Sequence, residues 1–232
     1  MSKFNSILVK GAAVAALSTA LAIPAFASTG GGGQSCSVTR VSGVGSTFYV
    51  PSGGSGTYNL LGWGNGTGGN SATYRGVLES IARQCIFVAA ANTASSGSGS
   101  DVERAVNEAK SRYRNILGSN PKVCTSGHSQ GGGGAFNAAN RLGAQCVIGV
   151  QPDTVYTTSI YRPVASNVDV ACIFSTADVL APAYPFNSLN CRADSTRYTQ
   201  RTTSGTHFTI MYGDGGSPGD AFRSQARAWL GK

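Results

Sequence analysis

Apolar and polar positions along this chain follow two rhythms that alternate with each other. Tyr58 to Trp63 is a short apolar run ending in glycines, and Cys85 to Ala91, Cys146 to Val150 and Val168 to Phe174 are further apolar runs bounded by turn residues. Runs of this length predict strands buried on both faces. Within Ser71 to Gln84, the residues Tyr74, Val77, Leu78, Ile81 and Ala82 fall at helical spacing along one face. A second helix has its apolar stripe on Val102, Ala105, Val106, Ala109, Tyr113, Ile116 and Leu117, with Ser100 and Glu103 spaced as a capping box at its start. Lys122 to Thr125 reads as a strand, Gly131 to Leu142 as a helix of small residues, and Phe222, Ala226, Trp229 and Leu230 mark a closing helix. Cys36 to Val41 and Thr47 to Val50 are expected to be antiparallel strands, and Arg197 to Arg201 a polar edge strand. Such alternation predicts an α/β domain with a mostly parallel central sheet and helices on both faces. Little chain is left between the last strands for a large lid.

Composition changes this picture first at the amino terminus. Lys3 and Lys10 flank the start of a short apolar stretch, Gly11 to Ile23 supplies its body, and Ala25-Phe26-Ala27 ends in small residues. Residues 1–27 are therefore expected to be a signal peptide cleaved after Ala27, which implies export. The stretch is shorter than the roughly 20 residues of a spanning helix, which argues against an uncleaved anchor. Residues 28–35 read as a flexible leader and 36–232 as one domain, since 205 residues suffice for one core and are awkward for two. All six cysteines (Cys36, Cys85, Cys124, Cys146, Cys172 and Cys191) follow the signal segment, and none has zinc-knuckle spacing. An even number in an exported chain predicts disulfides, although spacing alone leaves the connectivity open. The expected pairs are Cys172–Cys191, within one short excursion between neighbouring strands, then Cys36–Cys85 and Cys124–Cys146. The formal charge of +8 falls to +6 without Lys3 and Lys10, and the arginines are scattered. A nucleic-acid binder concentrates its basic residues, so neither nucleic acid nor membrane is expected as a partner, and the chain is expected to be monomeric.

The 32 glycines have no three-residue period but cluster at Gly62 to Gly69 and Gly127 to Gly134. In the second cluster Gly127-His128-Ser129-Gln130-Gly131 fits G-x-S-x-G, preceded by a strand and followed by a helix. That context makes Ser129 the candidate nucleophile at the apex of a strained turn. The chain has only two histidines. His128 adjoins Ser129, where consecutive side chains diverge, so it is expected to pack beside the elbow at the cleft. His207 lies in a polar loop after the last strand, where the base belongs in the chain order Ser, Asp or Glu, His. Among the carboxylates between them, Asp169 starts a strand and Asp194 lies in a polar stretch. Asp178 follows a strand end, where ligands bind in open α/β sheets, and is the candidate acid, with Asp153 as alternative. The amides of Gln130 and Asn65 are the candidate oxyanion donors.

The stretches GHSQGGGGAFNAAN at 127–140, STADVLAP at 175–182, GTHF at 205–208 and WGNGTG at 63–68 resemble secreted polyester hydrolases and cutinases. That group includes poly(ethylene terephthalate) hydrolases, in the dienelactone-hydrolase-like and chlorophyllase-like part of the α/β-hydrolase family. The order and spacing of these motifs match over about residues 40 to 230. The resemblance implies an α/β-hydrolase fold, with nucleophile, acid and base at Ser129, Asp178 and His207. The chain departs from the group at Gln130, where methionine is common, and at Gln151 to Thr154, where an aromatic clamp is common. Trp63 and Tyr156 are available as substitute clamps, and Asp153 is expected at the cleft rim. The expected activity is hydrolysis of carboxylic esters, extending to polymer surfaces, with no cofactor and no metal. Two alternatives stay open: an inactive extracellular binding protein on the same scaffold, and a hydrolase of amides or thioesters.

Overall fold

The computed structural model describes residues 35–54, 56–158, 161–192 and 195–231, so the expected signal segment and Asp194 lie outside the described residues. The apolar runs become strands β1 Ser37–Ser42, β2 Ser46–Ser52, β3 Asn59–Gly64, β4 Ile86–Ala91, β5 Val123–His128, β6 Cys146–Val150, β7 Asp169–Ser175 and β8 Tyr198–Thr203. They form one sheet in the order β1-β2-β4-β3-β5-β6-β7-β8. The β1–β2 and β2–β4 pairs are antiparallel, and every other pair is parallel. The two expected antiparallel strands thus form one side of the sheet, and the polar strand β8 forms the opposite edge.

Helices cover both faces. On one face α1 (Arg75–Ala82) and α6 (Gly216–Leu230) bury Val77, Leu78, Ile81, Phe222, Ala226 and Leu230 against Leu61, Val88, Ile148 and Ile173. On the other, α2 (Ser100–Arg112) and α4 (Gln130–Leu142) bury Ala105, Val106, Ala135 and Phe136 against Leu60, Phe87 and Val147. Neighbouring residues of β3 and β4 point into opposite cores, which is the two-residue period of a strand buried on both sides. Each fully buried Leu or Ile side chain contributes about 1.5–3 kcal/mol. The remaining helices, α3 (Arg114–Leu117) and α5 (Ser188–Arg192), are short.

The expected capping box does not form. Gly99, at φ 74°, precedes α2, and Ser100 already lies in its first turn. Glu103 instead faces Arg141 at 3.6 Å. Asp101 is the acidic residue that ties down this end, accepting Ser96 Oγ at 2.6 Å and the Val102 amide at 3.0 Å. The apolar stripe of α2 also breaks at Tyr113, whose ring packs on Phe87 (4.9 Å) and edge-on to Phe48 (5.4 Å), before resuming in α3.

The three expected disulfides are present: Cys36–Cys85, Cys124–Cys146 and Cys172–Cys191, closing separations of 49, 22 and 19 residues. Cys124 and Cys146 are directly paired in the ladder near the starts of β5 and β6. Loops of these lengths give about 3–4 kcal/mol of stabilisation each in the chain-entropy account. Because β3 to β8 run parallel, the loops after β3, β5, β6, β7 and β8 all gather at the carboxyl edge of the sheet. Ser129, Asp153, Asp178, His207 and the glycine-rich segment after β3 all sit at this edge.

Candidate active site

Ser129 is the single residue between the end of β5 and the start of α4, at φ 53° and ψ −123°. A non-glycine residue there stores on the order of 1–3 kcal/mol of strain. Three hydrogen bonds hold the turn: the Ser129 amide donates to Val150 O (3.1 Å), and its carbonyl accepts from Asp153 N (2.9 Å) and Gly133 N (3.1 Å). The flanking glycines supply closeness. A Cβ on Gly131 would lie 2.4 Å from the Gly64 carbonyl, and one on Gly127 would lie 2.3 Å from Gly131 O. Ser129 opens on a cleft of about 430 Å³ that His207 also lines.

The loops after β7 and β8 are joined by backbone hydrogen bonds, Thr176 N to Thr203 O (2.9 Å) and Ala177 N to Gly205 O (3.0 Å). This joining brings Asp178 and His207 together: His207 Nδ1 lies 2.8 Å from Asp178 Oδ2, and both residues are buried. Asp178 Oδ1 accepts the amides of Leu180 and Ala181, each at 2.9 Å. Burial alone would raise the Asp178 pKa, but hydrogen bonds from His207, Ala181 and Leu180 and the nearby His207 charge hold it below the ordinary carboxylate value. The Asp178 carboxylate therefore fixes the proton on Nδ1, and Nε2 has no hydrogen-bond partner among the described residues. No protein-family model matches the chain, and no curated protein matches it.

The alternative acid is committed elsewhere. Asp153 lines the same cleft, but its Oδ1 accepts the amides of Val155 (3.0 Å) and Tyr156 (2.9 Å), and its Oδ2 accepts Thr157 N (2.8 Å) and Thr157 Oγ1 (2.5 Å). It folds its own loop and does not act as a free rim carboxylate. Burial raises its pKa, yet the Thr157 hydroxyl and the three amides outweigh that and hold it low. Asp153→Asn keeps only one acceptor oxygen and is expected to cost about 2 kcal/mol in chemical denaturation at neutral pH. A carboxylate with a depressed folded pKa contributes fully above the ordinary carboxylate range and loses that contribution as pH falls through the folded value. Wild type and variant are therefore expected to converge in stability in acid.

Two expected site residues lie elsewhere. The Asn65 amide already donates to Ser96 Oγ (3.0 Å), and the Asn65 side chain donates to Ala91 O (2.6 Å) and Thr93 O (3.0 Å), so Asn65 is an anchor buried beneath its loop. Trp63 is wholly buried, donates Nε1–H to Asn65 Oδ1 (3.2 Å) and packs on Tyr74 and Phe222, so it is core and not a clamp. Thr67, two residues beyond Asn65, lines the cleft, and its amide has no hydrogen-bond partner among the described residues. It neighbours Gln130, whose side chain accepts Thr67 Oγ1 (3.3 Å) and donates to Thr157 O (2.5 Å), tying two cleft loops together. The Gln130 amide opens α4 and has no intrahelical acceptor. Tyr156 lines the cleft and is 72% exposed, and His128 borders the cleft from a buried position. Leu180 and Phe208, which fall inside two of the quoted stretches without a role there, complete an apolar mouth with Met211.

Proposed function

We propose that this chain is an exported serine hydrolase of the α/β-hydrolase fold that cleaves carboxylic esters through an acyl-enzyme. The observation that carries this reading is that His207, held through Nδ1 by Asp178, lines the same cleft as Ser129, which stands in a strained turn between strand and helix. Supporting it are the chain order Ser, Asp, His along one mostly parallel sheet, the resemblance to secreted polyester hydrolases, and three disulfides, which suit an oxidising compartment.

In this reading Ser129 Oγ attacks the ester carbonyl while His207 Nε2 takes its proton. The imidazolium is stabilised by Asp178 through Nδ1–H. The amides of Gln130 and Thr67 receive the charge on the carbonyl oxygen, each worth about 3 kcal/mol in such sites. Collapse breaks the bond to the alcohol oxygen, which leaves with the proton from Nε2. Water then gives a proton to Nε2 and attacks the acyl-enzyme carbonyl, and collapse releases the acid while Ser129 Oγ takes the proton back from Nε2.

The cleft mouth supports an apolar acyl or alcohol group. Tyr156, Leu180 and Phe208 line it while 72%, 53% and 47% exposed, with Val179 and Tyr212 exposed beside them. Exposed apolar residues clustered around an active site suit a substrate presented at a surface. Hydrolysis of soluble p-nitrophenyl esters from acetate to palmitate, alongside monomer release from an aliphatic polyester film, tests both halves. Short and medium chains are expected to turn over fastest, and the film to erode. Preference for palmitate would oppose the open cleft, and an intact film would restrict the enzyme to soluble esters.

A further inference from the structure

His128 and Tyr74 are buried, and the proposed chemistry uses neither of them. Tyr74 stands at the start of α1, beneath the loop after β3. Its hydroxyl oxygen lies 3.2 Å from the Gly66 amide and 2.9 Å from His128 Nδ1, and His128 Nε2 lies 2.9 Å from the His207 carbonyl oxygen. A carbonyl only accepts, so Nε2 carries the ring proton. A neutral ring then leaves Nδ1 as an acceptor, so Tyr74 donates to it and accepts from Gly66 with its lone pair. Burial, reinforced by the neighbouring His207, pushes the His128 pKa down to about 3, and burial pushes Tyr74 up to about 12. Both therefore stay neutral through the working range, and the direction of each bond is fixed.

This chain of bonds runs directly behind the nucleophile. A Cβ on Gly66 would meet His128 Nδ1 and Tyr74 Oη at 3.1 Å and Ser129 Cβ at 3.2 Å, so the strut and the elbow both border this turn. At its far end the strut meets a second tether, Gln151 Nε2 donating to Thr206 O at 2.7 Å. Two successive carbonyls of the loop that bears His207 are thus held by side chains from β5 and the end of β6. The His128 and His207 rings themselves lie 4.6 Å apart.

We propose that Tyr74 and His128 are positioning residues, a neutral hydroxyl–imidazole strut that sets the spacing between the oxyanion loop at Gly66-Thr67 and the loop carrying His207. The proposal rests on the hydrolase reading given above. By taking the Gly66 amide inward, Tyr74 leaves Thr67 as the amide facing the cleft. By holding the His207 carbonyl, His128 fixes the backbone from which the base reaches toward Ser129. Displacement of a reacting group by about 1 Å costs on the order of a hundredfold in rate.

Tyr74→Phe deletes one oxygen and keeps the ring against Trp63, which lies 5.0 Å away. Tyr49→Phe is the control, because Tyr49 lies in the same core and its hydroxyl donates to Ser71 O at 3.2 Å, away from the cleft. Tyr74→Phe is expected to lower kcat by about ten- to a hundredfold with KM nearly unchanged, while Tyr49→Phe keeps wild-type kcat. His128→Asn, which retains an acceptor near Nδ1 but no donor for His207 O, is expected to show the same kcat-only loss. Wild-type kcat in Tyr74→Phe, or equal losses in Tyr74→Phe and Tyr49→Phe, overturns the proposal. The ring ¹⁵N shifts of His128 are expected to report a protonated Nε2 and bare Nδ1 at neutral pH, and a proton on Nδ1 overturns it whatever the kinetics. Failure of the hydrolase reading is seen separately, as a wild-type protein inert to every ester.

Discussion

Ester turnover in Ser129→Ala is expected to fall by about 10⁶, the scale on which other serine triads lose activity when the nucleophile is removed. The fold is expected to persist, because the turn is held by backbone hydrogen bonds to Val150, Gly133 and Asp153 that do not involve the Ser129 side chain. Alanine also keeps the Cβ already accommodated at φ 53°. A fluorophosphonate probe is expected to add one mass increment to wild type and none to the variant. Labelling that survives the substitution would move the nucleophile elsewhere. A wild-type protein that takes no label would favour the reading of a binding protein on a hydrolase scaffold.

Asp178→Asn is expected to lower turnover by about 10⁴ while leaving the protein folded. The size follows from which atoms are already occupied. Leu180 and Ala181 both direct their amides at Oδ1, so an asparagine must keep its carbonyl oxygen there. Its NH₂ then faces His207 Nδ1, forcing that nitrogen to accept and moving the ring proton to Nε2. A protonated Nε2 cannot take the proton of Ser129. Asp153→Asn leaves this tautomer alone, so its turnover is expected to stay far above that of Asp178→Asn. Steady-state kinetics of the two variants side by side decide between the carboxylates, and the reverse ranking would assign the acid to Asp153.

The strands, the helices and the residues of the proposed triad were legible because each has a local signature. Apolar runs ending in glycine, a G-x-S-x-G stretch between strand and helix, and a carboxylate just past a strand end can all be read within a few residues. The Asn65 amide could not be read this way. The amide is taken by Ser96 and the side chain is anchored by Ala91 and Thr93, which lie 26 to 31 residues along the chain at the end of β4 and on the loop after it. Trp63 was legible in principle: Leu61 and Trp63 share one side of β3, and the glycine-rich loop beside Trp63 drew it toward the cleft against that alternation. The capping box failed for a related reason. Ser100 and Glu103 have the right spacing, but Gly99 starts the helix one residue before a serine cap would.

The sheet order also divides the proposed machinery by mechanical security. Ser129 hangs from β5, which has a strand on either side, whereas His207 follows β8, which among the described residues has β7 as its one neighbour. Local opening in proteins starts where few contacts must be broken, and fraying of β8 would unzip the pairing of Thr176 with Thr203 and of Ala177 with Gly205. His207 would then drift from Asp178 while Ser129 stayed seated in an intact core. In the proposed hydrolase, activity is therefore expected to be lost at the rim of the sheet before the core unfolds.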